Sequence, residues 1–332
     1  MRTPAHWLQP HPTPLARVLA PLGWLYGRAT ARRVGRAPDV VPAVPVISIG
    51  NINAGGTGKT PVTIASAEWA RDAGLTARAV TRGYGGAAEG PMEVDPRKHG
   101  AEEVGDEPLL LAAFVPTVVA KDRAAGVRLA ETGKPDLILL DDAHQNPSVA
   151  KRLSLVVVDA VVGFGNGLCV PAGPLREPIA AGVARADALV VVGEPEARRA
   201  FHERYQAVLP QALPVLEGAL EPLQTGMAWD LLNLYAFAGI GHPEKFFATF
   251  RRLGAELVGT QALADHQELT EPLLARLARD AAEAKAQLVT TEKDAVRLPE
   301  SYRAKVLTLP VRFRFAEPKV ADALLRSALT RT

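Results

Sequence analysis

Six short apolar runs, rich in β-branched residues, limit what this chain can fold into. They are AVPVISIG (43–50), TARAVTRG (76–83), TVVA (117–120), DLILLDD (136–142), LSLVVVDA (153–160) and DALVVVGE (187–194), with segments of helical pattern between them. A strand this uniformly apolar must be covered on both faces, as happens in a sheet held between two helix layers. The stretch TPVTIASAEWARDAGL (60–75) joins the first two runs and reads as a helix, with Pro61 near its start and Gly74 near its end. Strand, helix, strand predicts a right-handed βαβ unit in a parallel sheet. We expect an α/β chain with a doubly wound, mainly parallel sheet.

The pattern returns from LLNLYAFAGIGHPEKFFATFRRLGAELVG (231–259), and QLVTTEKDAVRL (287–298) adds a strand with a charged loop. The expected organisation is an N-terminal amphipathic segment (1–38), a core (39–225) and a smaller α/β domain (226–332) that closes a cleft. At 332 residues, 48% apolar and 22% charged, the chain can bury a full core without staples. The single Cys169 cannot form an intrachain disulfide, which fits a reducing compartment. A net charge of +2 gives no bulk affinity for nucleic acid, so none is expected as a partner. No apolar run approaches the roughly 18–20 residues needed to span a bilayer. The opening MRTPAHWLQPHPTP lacks an apolar stretch, so no secretory leader is expected.

Residues 14–36 (PLARVLAPLGWLYGRATARRVGR) place Leu15, Val18, Leu19, Leu22, Leu25 and Tyr26 at roughly helical spacing among five arginines, with Trp24 between. Pro21 and Gly23 are expected to interrupt or bend such a helix. Two readings stand side by side: a helix lying on an anionic leaflet, or one packed on the protein's own core.

The stretch NINAGGTGKTP (51–61) leaves the first apolar run and opens the helix at Lys59 and Thr60. That is the context of a phosphate-binding loop. Asn53, Ala54, Gly55, Gly56, Thr57, Gly58, Lys59 and Thr60 are expected to surround the polyphosphate of ATP, using backbone N–H groups and the helix N-terminus. Lys59 would neutralise the β/γ oxygens and Thr60 would place its hydroxyl on Mg²⁺. Asn53 stands where the usual pattern has Gly, and Asn tolerates positive φ. Such a loop also needs an acid at the end of a buried strand. Asp141 and Asp142 supply it, with Asp159 as the rival; two adjacent carboxylates ending an apolar strand are costly without a cation or hydrogen bonds.

Further stretches go beyond a generic nucleotide binder: VGDEPLLLA (104–112), VPAGPLREP (170–178) and LADHQELT (263–270). From the residues alone, Asp106 and Glu107 before Pro108 read as a helix cap, and His266 as a surface or interface histidine. His99, His144, His202 and His242 read as structural. Together with SIGNINAGGTGKTP, TRGYGG, KDR, LILLDDAHQN, LVVVDA, FAGIGHPEKFF and LVTTEKDAVRL, these stretches resemble one family, the tetraacyldisaccharide 4′-kinases of lipid A synthesis in Gram-negative bacteria. The matches run in family order from about residue 43 to residue 298, and PLGWLYG resembles the family's membrane-associating helix.

The resemblance implies transfer of the γ-phosphate of ATP to the 4′-hydroxyl of a tetraacylated glucosamine disaccharide 1-phosphate. It implies a peripheral enzyme at the cytoplasmic face of the inner membrane, held by residues 14–36, with no obligate protein partner. It maps an acid–imidazole pair onto Asp106 and His266, with Lys59 and Arg176 assisting, and a metal onto Thr60, Asp141 and Asp142, and Glu177. Arg82, Tyr84, Glu107, Arg123 and Gln145 become candidate substrate contacts. Glu292, Lys293 and Asp294 match a family motif whose chemistry the spacing does not reveal. The chain departs from the family pattern at Ala143, His144 and Asn146, and has Gln267 where a second His is frequent. The alternative reading is a P-loop ATPase switch of the partitioning or metal-insertion type; Ala54 before Gly55 disfavours it, since such switches often carry a lysine early in the loop. A soluble small-metabolite kinase or ligase is a third.

Overall fold

The structure is a computed structural model and describes residues 4–265 and 267–330. Its strands are β1 (Val46–Gly50), β2 (Ala77–Thr81), β3 (Met92–Glu93), β4 (Thr117–Val119), β5 (Leu137–Asp141), β6 (Leu153–Asp159), β7 (Ala188–Val192), β8 (Val215–Pro222), β9 (Asn233–Ala238), β10 (Glu256–Ala262), β11 (Gln287–Thr291), β12 (Leu307–Leu309) and β13 (Val311–Phe315). The α-helices are α1 (Pro14–Val34), α2 (Lys59–Asp72), α3 (Ala101–Val104), α4 (Asp106–Ala112), α5 (Arg123–Thr132), α6 (Ile179–Val183), α7 (Pro195–Tyr205), α8 (Pro243–Arg252), α9 (Glu271–Glu283), α10 (Glu292–Ala295), α11 (Glu300–Arg303) and α12 (Pro318–Thr330).

Among the described residues the strands form two sheets, β13-β8-β7-β6-β1-β5-β2-β4-β3 and β10-β9-β11-β12. The larger is parallel except at its two edges, where β3 and β13 run antiparallel to their neighbours. The six apolar runs form six of its interior strands, of which β1, β4, β5, β6 and β7 lie almost wholly buried, as the lack of alternation requires. Alternate residues serve opposite faces. Ile47, Leu139, Leu155 and Val157 pack with Val62 of α2 and Leu325 of α12, whereas Val156, Val158 and Val191 pack with Phe201 and Tyr205 of α7. The smaller sheet is parallel throughout and lies between Phe246, Phe247 and Phe250 of α8 and Leu274 and Leu277 of α9.

The expected extent of the second domain, 226–332, needs correction at its C-terminal end. After Pro310 the chain passes straight from β12 into β13, which pairs with β8 of the larger sheet. α12 follows it there, burying Ala321, Leu325 and Ala328, and Asp322 accepts a hydrogen bond from Trp69 Nε1 at 2.9 Å. The physical reason is an open edge: β8 leaves a row of unpaired backbone groups that β13 satisfies. Its alternation VRFRF was too short to reveal that partner.

α1 also differs from expectation. It runs unbroken through Pro21 and Gly23, capped by the Thr13 side chain, which accepts from Ala16 N. It buries its small residues, Ala16, Gly23, Gly27 and Thr30, and exposes Leu15, Val18, Leu22, Trp24 and Leu25, each more than half open to solvent. A Cβ at Gly23 would sit 2.6 Å from the carbonyl oxygen of Cys169, so glycine is what permits the close approach. No described helix is long and apolar enough to cross a membrane.

Candidate active site

β1 lies between β6 and β5, where the strand order reverses, and its C-terminal end opens into residues 51–58. Ligands of doubly wound sheets bind at this point. Gly58, at φ 93°, is the left-handed residue that turns the chain into α2, and nothing stands within 4 Å of where a side chain would emerge at Gly55 or Gly56. The loop is braced from below: Asn51 Nδ2 donates to Gly55 O at 3.2 Å and to Thr57 Oγ1 at 3.0 Å. Asn53 departs from its expected role. Its φ is not positive; its side chain donates to Gly163 O at 2.9 Å, and the N–H of Ala54 donates to Pro174 O at 2.6 Å. Both residues clamp the loop to the 163–175 segment, which leaves Gly55–Thr60 to face a phosphate chain.

Asp141 ends β5 opposite Ile49 of β1, so the strand register itself sets it beside the loop. Its carboxylate accepts from Thr63 Oγ1 at 3.1 Å and Thr81 Oγ1 at 3.2 Å. Burial, then the nearby charges of Glu107 and Asp142, pushes this carboxyl up to about 7. Asp142 behaves oppositely. Burial works against its charge too, but Lys59 and Arg176 outweigh it and hold the carboxyl at about 2. Arg176 reaches it with two nitrogens, at 2.8 and 3.3 Å, and Lys59 Nζ lies 3.7 Å away. Three expected site residues thus meet at one carboxylate.

Other expected residues prove to be supports. Glu177 is buried, with Arg185 Nη2 at 2.8 Å from each oxygen and Gln145 Nε2 at 2.8 Å from one. Gln145 also donates to Asn51 O at 2.7 Å, so these two residues brace the phosphate loop. Glu177, expected as a metal ligand, is held here in an ion pair with Arg185. Arg123, expected to contact a phosphate, is 3% exposed and donates to Ala120 O; burial pushes it down to about 10. Asp159 caps its own turn by accepting from the N–H of Val161 and pairs with Lys245 of α8 at 2.6 Å. His144 is buried against Gly182 O, with burial holding its imidazole at about 4.

Asp106, 3% exposed, is the first residue of α4. The turn carrying Arg82 and Tyr84, both exposed, interlocks with the residues just before it: a Cβ at Gly105 would lie 2.7 Å from Tyr84 O. Two motifs twenty residues apart in sequence therefore build one wall. From the second lobe, Lys293 Nζ lies 4.0 Å from Asp106 Oδ2 and 3.8 Å from Glu107 Oε1, and Arg297 Nε lies 3.8 Å from Asp106 Oδ2. Sequence reasoning gave neither cation a role; Lys293 lies in α10 and Arg297 in the turn that follows it. His266 lies outside the described residues.

A family model described as tetraacyldisaccharide-1-P 4′-kinase matches residues 15–330. The chain belongs to that family. Tetraacyldisaccharide 4′-kinase of Dinoroseobacter shibae is 57% identical over 328 residues, covering 98% of this chain and 97% of that one. The tetraacyldisaccharide 4′-kinase of a Jannaschia species is 52% identical over the full length of both. A crystal structure of LpxK from Aquifex aeolicus in complex with ATP matches with a TM-score of 0.75 at 25% identity, covering 95% of this chain and 99% of that one. Membership in the tetraacyldisaccharide 4′-kinases sets aside the reading as a partitioning-type switch.

Proposed function

We propose that this chain transfers the γ-phosphate of ATP to the 4′-hydroxyl of a tetraacylated glucosamine disaccharide 1-phosphate, an activity its family membership supports. The observation that carries the mechanism is Asp106: a buried carboxylate at the seam of two lobes, one of which bears the phosphate loop. Lys59 and Arg176, now on Asp142, are the cations that would move onto phosphate oxygens. Asp106 would accept the proton of the sugar hydroxyl as it attacks, with His266 assigned beside it on family resemblance. Arg82, Tyr84 and Glu107 would line the acceptor side.

The donor set fits a small hard cation. Thr60 with Asp141 and Asp142 offers oxygen ligands only, and a divalent ion would offset the burial and the neighbouring acids that raise Asp141. When bound, Mg²⁺ neutralises charge on the β and γ oxygens. The exposed apolar face of α1, bordered by Arg28, Arg32 and Arg33, supports seating on an anionic membrane surface at the cytoplasmic face of the inner membrane. The test is a transfer assay with labelled ATP, Mg²⁺ and the lipid disaccharide, beside a panel of soluble alcohols. Label on the lipid is expected; transfer to soluble alcohols alone would refute the assignment.

A further inference from the structure

The motif TTEKDAVRL enters no step above, yet two of its side chains reach Asp106 from the second lobe. Its geometry is over-determined. Thr291 caps α10 by accepting from Asp294 N at 3.1 Å. Asp294, fully buried, accepts from Gly239 N at 3.0 Å and Thr291 Oγ1 at 2.7 Å, and pairs with Arg297. Arg297 Nη1 then donates to Gln267 O at 2.7 Å, while Lys293 lies 3.6 Å from Asp265 Oδ1. The same two cations therefore reach Asp106 on one lobe and hold residues 265 and 267 on the other.

We infer that Lys293 and Arg297 are positioning residues that keep the Asp106 carboxylate ionised and oriented across the lobe seam. The inference rests on Asp106 being the base. A carboxylate this buried would otherwise tend to take up a proton. Two cations at 3.8 and 4.0 Å oppose that, yet stand too far for direct hydrogen bonds. Asp106 Oδ1 also accepts from the N–H of Glu107 at 2.9 Å, which helps to fix the orientation of the carboxylate. The lysine and arginine side chains are only 21% and 9% exposed, so water screens them little. The other charges on elements packed against α4 are Glu102 and Glu103 of α3, Lys59, Glu68, Arg71 and Asp72 of α2, Glu292 and Asp294 of α10, and Glu107 of α4 itself. Of these, Lys59 and Arg71 are positive; Lys59 is engaged with Asp142 and Arg71 with Asp72.

The test compares Lys293→Met, Lys293→Arg and Asp106→Asn with the full-length enzyme in kcat, KM for ATP and pH–rate profile. Lys293→Met should lower kcat by about 10–100-fold while KM for ATP stays within about 2-fold. Losing a cation raises the pKa of a carboxylate, so the acid limb of kcat should move up by about one pH unit. Lys293→Arg should restore most of the rate and the limb. An unmoved acid limb in Lys293→Met, whether or not the rate falls, overturns the inference while leaving the base assignment intact. Full activity in Asp106→Asn overturns both. ATP binding serves as the folding control, and Lys293→Gln is read in the same way should Lys293→Met not fold.

Discussion

The Asp141 carboxyl is pushed up to about 7 by burial and two neighbouring acids, while Asp142 is held at about 2 by Lys59 and Arg176 against the same burial. An acid whose folded pKa exceeds its unfolded value keeps a proton that the unfolded chain has lost. Between the ordinary carboxylate value and about 7, metal-free stability should therefore fall as pH rises. Chemical denaturation at pH 5 and pH 7.5 checks this, and Asp141→Asn should show a smaller fall. For the same reason Mg²⁺ affinity of the parent should strengthen as pH rises through about 7. Asp106→Ala should lower kcat by about 10²–10⁴-fold with ATP affinity kept, read by single-turnover transfer and nucleotide titration. The sequence showed that positions 141 and 142 were acids ending a strand. It could not separate them, because their difference comes from Arg176 and Glu107, which are distant in sequence. Asn53 was legible as a loop residue but not as a clamp, since its partner Gly163 lies 110 positions away.

At the scale of elements, α1 packs part of residues 14–36 on the protein's own core and leaves an apolar face outward. Its small residues pack on the 169–178 segment, and its large apolar residues face outward. The ordinary arrangement of a surface helix is inverted, and a lipid surface would cover that outward face. Replacing Leu22 and Leu25 by Asp should weaken binding to anionic vesicles by about tenfold or more, with the melting temperature unchanged. Flotation against vesicles at two salt concentrations measures it. Gly23→Leu should instead destabilise the fold by about 1–3 kcal/mol, because the added carbons meet the Cys169 carbonyl. Deleting the helix would confound the two effects. Helical periodicity in this segment could be read from sequence; which face would be covered depended on where the Cys169 loop came to rest.

At the scale of the molecule, the chain crosses between lobes twice, and the returning β13 and α12 make the larger core depend on the C-terminus. Leu325 is fully buried beside Leu139 and Val157, so Leu325→Ala should cost about 2–5 kcal/mol, read as a lowered midpoint in denaturant. The lobes also meet through Lys245–Asp159, Arg252–Glu194 and the Lys293–Asp106 cluster. By itself the sequence determined the doubly wound core and the place of the phosphate loop, because buried parallel strands and a glycine-rich strand–helix turn are encoded by residues close together in the chain. Tertiary structure alone decided that Asp106 faces cations of the second lobe, that Glu177 and Arg123 act as supports, and that residues 311–330 belong to the larger sheet. Those outcomes depend on charges and sheet edges that meet only after folding, at separations no local pattern spans.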